Sequence, residues 1–156
     1  MAITFTLNGA SVTLDIPDDV PLLSVLREKV GLAGPRFGCG AETCGACHVL
    51  LDGNSVPSCM LALAAVAGRR VTTVEGLGSE TDPHPLQEAF LAEQAGQCGY
   101  CLSGILMSAA ALLNANPAPD EATIRKALDG HLCRCGSHNR IVRAIQRAAA
   151  EMGQRA

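Results

Sequence analysis

The sequence lacks an excess of positive charge. Twelve Lys and Arg stand against fifteen Asp and Glu, a formal net charge of -3. The basic stripe by which a protein meets nucleic acid or anionic lipid is therefore missing, and no nucleic-acid partner is expected. It also lacks a long apolar run. Stretches such as 60–67 fall well short of the roughly 18 residues that cross a bilayer, so direct membrane insertion is not expected. The opening MAITFTLNGA has neither a basic segment nor an apolar one, which argues against a secretory signal and makes the cytoplasm the expected compartment. Export with a signal-bearing partner is the alternative. No Ser-His-Asp constellation, phosphate loop, carboxylate cluster, flavin motif or haem motif stands out, so this chain is not expected to turn over an organic substrate by itself. What remains is 156 residues, 48% hydrophobic and 17% charged, the composition of a packed protein rather than a disordered one. Such a length suits one ordinary domain or two small ones, each with a modest core that bound prosthetic groups would reinforce.

What the sequence does have is eight cysteines. Without a secretion signal they point away from disulfides and toward metal or redox chemistry. Cys39, Cys44, Cys47 and Cys59 stand as C-x4-C-x2-C-x11-C, and the first three have the spacing of a plant-type [2Fe-2S] loop. Each iron of such a cluster takes two thiolates, so a tight loop can wrap it while a distant cysteine closes the set. Gly38, Gly40 and Gly45 suit a loop whose backbone must come close to sulfur. Cys98, Cys101, Cys133 and Cys135 stand as C-x2-C-x31-C-x-C. If Cys98 and Cys101 lie on a helix, they share a face, and Cys133 and Cys135 precede a further helix whose N-terminus favours negative charge. Four cysteines also suit tetrahedral zinc, and for the second quartet that reading stays open beside the cluster. Disulfides and buried free cysteines are weaker readings of the same residues. With both quartets filled by cysteine, His48, His84, His131 and His138 are expected to be surface or interface residues rather than ligands.

The chain divides in two. ITFTL, Asn8-Gly9 and SVTLDI read as two strands about a type I′ turn. Pro21 at a first helical position, with Leu22, Leu23, Val25, Leu26 and Val30 before Gly31, describes a short amphipathic helix packed on that hairpin. HVLL reads as a strand ending at Asp52-Gly53, and another is expected at 71–74. Residues 77–84 are rich in glycine, proline and polar side chains and read as a linker. Beyond them, 85–94, 98–113, 120–128 and 139–152 have helical length, with Asp120 and Asn139 as candidate N-caps. The expected domains are 1–76 and 85–156. The last helix gathers Ile141, Val142, Ile145, Ala148 and Ala149 on its core side and leaves Arg140, Arg143 and Arg147 to solvent. The low overall charge also allows an apolar patch for a larger subunit.

In their order, GPRFGCGAETCGACHVLLDG, Cys59, GQCGYC and HLCRCG resemble the small [2Fe-2S] subunits of the xanthine dehydrogenase and aldehyde oxidoreductase family, the molybdenum hydroxylases. The resemblance implies an α+β chain: a β-grasp, plant-type ferredoxin-like domain followed by an all-α four-helix bundle, each holding one [2Fe-2S] cluster. It implies a large molybdopterin-binding partner, and electrons passing first to the cluster of Cys98, Cys101, Cys133 and Cys135. The cluster of Cys39, Cys44, Cys47 and Cys59 comes next, and then an external acceptor such as an FAD subunit or a cytochrome c. It further implies that Gln97 and Cys135 contact the pterin, where the residues alone would make Gln97 a helix-terminal cap. Glu42 stands where the family usually has glycine or alanine. Leu102-Ser103-Gly104 and Gly136-Ser137-His138 depart from the xanthine branch and look more like the nicotinate and isoquinoline oxidoreductases, whose large partners hydroxylate a ring carbon beside nitrogen. Aldehyde oxidation is the alternative for the whole complex. A free-standing ferredoxin-like carrier and a zinc-stabilised interaction module are the rival readings.

Overall fold

The structure, a computed structural model, describes residues 2–155; the outermost residues of the expected domains, 1 and 156, lie outside that range. Ile3–Leu7 (β1) and Ala10–Leu14 (β2) form the expected hairpin, with Ile3 opposite Leu14. Asn8 and Gly9 both take left-handed backbone, at φ 50° and 85°, as a type I′ turn requires. Ile3, Phe5 and Leu7 are buried and Thr4 is exposed, the period-2 pattern of a strand with one face on a core. The next helix runs over Leu22–Ser24 and widens to π geometry over Val25–Lys29 (together α1). Pro21 sits at its N-cap, one position earlier than the sequence suggests, and bridges to Ala62.

His48–Leu51 (β3) turns at Asp52 and Gly53 into Asn54–Pro57 (β4), and Arg70–Thr72 (β5) follows. β4 has no counterpart in the sequence reading, since NSVP shows no apolar alternation and ends on proline. β5 is shorter than expected. Thr73 is buried, its N–H and hydroxyl both bonded to the Asn8 amide, and Val74–Gly76 curls into a 3-10 turn. The strand order is β2-β1-β5-β3-β4, with β1 and β5 parallel and the other pairs antiparallel. A parallel pair cannot be joined by a tight turn. Everything from 8 to 69, including β2, α1, the first cysteine loop, β3 and β4, is therefore carried in the crossover. This is a β-grasp sheet.

Phe5, Leu22, Leu26, Val49, Leu63 and Val71 belong to the core between sheet and α1. Leu50 points the other way, and its side chain belongs to the second core. That core is built by Pro85–Ala92 (α2), Leu102–Ala115 (α3), Glu121–Ala127 (α4) and His138–Arg155 (α5). α3 is buried nearly all round, from Ser103 through Ala110, as expected of a central helix. It packs on β3 and β4 on one side and on α2 and α4 on others. The helical bundle thus sits on the back of the sheet.

Two helix starts differ from the sequence reading. α3 begins at Leu102 rather than 98, because Gly99 at φ 75° interrupts helical backbone, so Cys98 and Cys101 lie on the preceding turn and not on a helical face. α5 begins at His138, and the Ser137 carbonyl, not Asn139, accepts from its first amides, those of Arg140 and Ile141. Asp120 does cap α4, its Oδ1 accepting from the Thr123 N–H at 2.8 Å. His84, expected at a surface or interface, caps α2: its Nδ1 accepts from the Leu86 N–H at 3.2 Å while Gln87 Oε1 accepts from the His84 N–H at 2.9 Å, a capping-box arrangement. Arg143 and Arg147, expected to be solvated, reach Glu93 at 3.6 and 3.4 Å, tying α5 to α2 through half-exposed pairs of small energetic weight.

Candidate iron-sulfur sites

The crossover between α1 and β3 carries the first three cysteines on a loop of turns. Gly40 and Gly45 take φ of 66° and 79°, and Glu42 joins them at 58°, so the loop accepts a longer side chain in left-handed backbone that non-glycine residues seldom adopt. Gly38 is needed for space: a Cβ there would lie 2.6 Å from Cys44 Sγ. Cys39 Sγ accepts from the backbone N–H groups of Ala41 and Thr43 at 3.3 and 3.2 Å. Hydrogen bonds from the Thr43 side chain and these two amides hold its thiol down to about 6. Cys47 and Cys59 are buried together under Leu23 of α1, and burial pushes the Cys59 thiol up.

The second quartet comes from two turns that flank the bundle. Cys101 occupies the N-cap of α3, where burial pushes its thiol up to about 12. The exposed Cys98 has its thiol lowered by the Tyr100 amide and by Cys135. Burial opposes ionisation of Cys133, but the Ser137 amide and the Cys101 thiol lead a set of hydrogen bonds that brings it below the usual thiol value.

All eight thiols are free, and they meet in pairs. Cys39 lies beside Cys44, and Cys47 beside Cys59. Cys98 and Cys135 have their sulfurs 3.5 Å apart, and Cys101 lies beside Cys133. Among the described residues no three His, Cys, Asp or Glu side chains converge to hold a single metal ion. Thiols in pairs, with backbone N–H groups turned toward the sulfurs, suit two irons that each take two thiolates, and the all-sulfur donor set suits an iron-sulfur cluster.

The quartets adjoin each other. The Leu132 N–H donates to the Cys44 carbonyl at 3.0 Å. A cavity of about 210 Å³ is lined by Gly38, Cys44, Cys98, Cys101 and Cys133 among others. Arg36 donates to the Gly99 carbonyl and lies 5.3 Å over the Tyr100 ring, whose hydroxyl donates to the Phe37 carbonyl. The two cysteine loops are therefore clasped by contacts that no local sequence signal announces. Gln97 is exposed at the rim of a groove of about 1110 Å³, lined also by Phe90, Leu91, Leu102, Leu106 and Arg140. Because Cys101 holds the N-cap of α3, Gln97 does not cap that helix.

Two further histidines also behave differently from the sequence reading. His131 is 4% exposed and His48 is half-buried, with ring centroids 4.7 Å apart. Burial, with His48 and His138 nearby, pushes His131 down to about 4, and burial lowers His48 as well, so both are neutral near pH 7. The one available signal was parity on β3, where His48 shares the face of Leu50 rather than that of Val49.

A 2Fe-2S iron-sulfur cluster binding domain model matches residues 5–72, and a [2Fe-2S] binding domain model matches residues 73–146. The chain is 50% identical over 147 residues to a nicotinate dehydrogenase subunit of Pseudomonas putida, covering 94% of each. It is 52% identical over 150 residues to the alpha subunit of isoquinoline 1-oxidoreductase from Brevundimonas diminuta, covering 96% of this chain and 98% of that one. This chain is an iron-sulfur subunit of the xanthine dehydrogenase and aldehyde oxidoreductase family. Among solved structures, quinoline 2-oxidoreductase from Pseudomonas putida 86 matches the whole chain and 97% of its own, with 37% identity and a TM-score of 0.93. Aldehyde oxidoreductase from Desulfovibrio gigas matches the whole chain but only 18% of its own, with 35% identity and a TM-score of 0.95. The iron-sulfur subunit therefore has two [2Fe-2S]-binding domains, a ferredoxin-like one and a helical one, as the resemblance implied. None of its described helices is long and apolar enough to cross a membrane.

Proposed function

We propose that this iron-sulfur subunit carries electrons for a molybdenum hydroxylase whose catalytic centre is on a large molybdopterin-binding partner. Cys98, Cys101, Cys133 and Cys135 would hold the cluster nearer the partner, and Cys39, Cys44, Cys47 and Cys59 the one nearer the acceptor. Bound clusters would supply one-electron redox steps between the pterin centre and an external acceptor, an FAD subunit or a cytochrome c. Gln97 and Cys135 would contact the pterin: an exposed amide can both donate and accept at ring heteroatoms, and Cys135 stands beside Cys98 at the same edge of the bundle. The division into 1–76, the linker 77–84 and 85–156 belongs to this reading, as does a cytoplasmic location.

One observation carries the reading. Two thiol quartets, one from each half of the chain, adjoin where the Leu132 N–H donates to the Cys44 carbonyl, so charge held at one quartet has a short path to the other. The full chain is expected to bind about four irons and, when reduced, to give two distinct electron paramagnetic resonance signals. Cys101→Ser should remove one signal and leave the other. A colourless chain carrying zinc would overturn the assignment. Copurification without any large subunit would favour a free-standing carrier instead.

The likeness to subunits of nicotinate dehydrogenase and isoquinoline 1-oxidoreductase makes an N-heterocycle the proposed substrate of the complex. Assaying the copurified complex with nicotinate, isoquinoline and an aldehyde would decide: turnover of the aldehyde alone would refute the N-heterocycle.

A further inference from the structure

Close to the two cysteine sites, four polar side chains from distant parts of the chain meet. His48 opens β3 directly after Cys47, and Ser55 lies on β4. Ser108 lies on α3, about two turns beyond Cys101, and His131 precedes Cys133 on the closing turn. Their hydrogen bonds run from His131 to Ser108 and close into a triangle among Ser108, Ser55 and His48, since Ser108 Oγ also lies 3.2 Å from His48 Nδ1. His131 Nε2 and Ser108 Oγ are 2.7 Å apart, Ser108 Oγ and Ser55 Oγ 2.7 Å, and Ser55 Oγ and His48 Nδ1 2.7 Å.

Counting donors fixes the His131 end of this network. His131 Nδ1 is buried and has no hydrogen-bond partner, and a buried N–H left without an acceptor is among the rarest groups in folded proteins. A neutral imidazole has one N–H, which therefore belongs on Nε2. His131 donates to Ser108, and Ser108 and Ser55, bonded to each other, both lie within reach of His48 Nδ1. The ring of His131 is fixed at one end of this network.

The other edge of that ring faces the first cysteine loop. A Cβ on Gly45 would lie 2.2 Å from His131 Nδ1, and the Gly45 carbonyl oxygen lies 1.9 Å from where a Cβ on Gly104 would be. Gly45 stands between Cys44 and Cys47, and Gly104 follows Cys101. The first loop thus packs against both the His131 ring and the backbone of α3, one belonging to each half of the second quartet.

We propose that His131, locked by Ser108, Ser55 and His48, is a positioning residue that fixes the separation between the two cysteine sites and hence between the clusters they hold. This rests on the functional reading that both quartets hold [2Fe-2S] clusters. Without the ring, the loop of Cys44 and the turn of Cys133 lose the spacer that holds them at one distance, although neither loses a thiolate.

The test uses the full-length chain with both clusters bound and reduced, and reads the magnetic dipolar splitting between them by electron paramagnetic resonance. In His131→Ala both cluster signals should keep full intensity while the splitting broadens or weakens; in Ser108→Ala the change should be smaller. His131→Gln, whose amide can still reach Ser108, should recover part of the splitting. An unchanged splitting in His131→Ala with both signals present would overturn the proposal. Should His131→Ala lose a cluster, Ser55→Ala and Ser108→Ala decide, since both lie outside the cysteine loops: a broadened splitting supports the positioning role and an unaltered one in both defeats it. If the unaltered chain lacked one of the two signals, the functional reading would fail first, and the inference with it.

Discussion

Replacing Gly104 by alanine sets two physical effects against each other. In a helix interior, Gly→Ala is favourable by about 1 kcal/mol, since alanine restricts the unfolded backbone more. Gly104 lies inside α3, so propensity alone predicts a more stable protein. Packing predicts the opposite. The new Cβ would lie 1.9 Å from the Gly45 carbonyl oxygen and 2.9 Å from its carbon, where ordinary contact begins at 3.4 Å. The obstacle is backbone, not the free end of a side chain, so α3 and the first cysteine loop must separate by about 1.5 Å. Inserting a methyl into a filled site of this kind costs about 1–3 kcal/mol, which outweighs the propensity gain over most of that range. At about 2–4 °C per kcal/mol for a chain of this length, the net effect is a fall in thermal midpoint of up to several degrees. Because Gly45 separates Cys44 from Cys47, the first cluster should also be affected, with lower iron content and a weakened signal from that cluster alone. Thermal unfolding followed by circular dichroism, with iron and electron paramagnetic resonance on the same samples, measures both. A Gly104→Ala chain with a raised midpoint and two full cluster signals would refute the close approach of α3 to the loop.

Other perturbations probe other parts of the molecule. Ile145 is fully buried in the helical core, and Ile145→Ala should destabilise by about 2–5 kcal/mol, read as a lower denaturant midpoint; a change within a few tenths would mean that α5 is not packed as described. His84 is favoured neutral by burial, so its folded value lies below the ordinary 6.5. The unfolded chain then takes up a proton first as pH falls, and the stability due to His84 is complete above about 6.5 and is lost below it. His84→Asn, which retains a capping oxygen, should therefore reduce the fall in thermal midpoint between about pH 7 and about pH 5. An identical fall in both proteins would show that His84 does not contribute. Gln97→Ala should leave both cluster signals and the thermal midpoint of the isolated chain unaltered while slowing reduction of the clusters by substrate in the complex; equal rates would remove Gln97 from the pterin contact.

The sequence by itself determined the features set by short-range geometry and composition. Asn8-Gly9 and Asp52-Gly53 can hardly form anything but left-handed two-residue turns, which placed the hairpin and the end of β3. The spacing 39/44/47 pointed to a plant-type cluster loop, because the distance a few residues can reach is fixed by covalent geometry. The order of that loop with GQCGYC and HLCRCG led to the family, and Asp120 capped its helix as expected of a short oxygen-bearing side chain. Other features were decided only by tertiary structure. β4 exists because β3 offers it an edge, not because NSVP favours a strand. Gly99 broke the helix expected from 98, since a left-handed residue cannot continue an α-helix, and so moved Cys98 and Cys101 onto a turn. The network from His131 to His48 was invisible in the chain, because its members lie far apart and each alone is an ordinary polar residue. They meet only because Leu50 and His48 share one face of β3 and α3 buries that face, so the feature that spaces the two cysteine sites arises from packing the second domain on the back of the first.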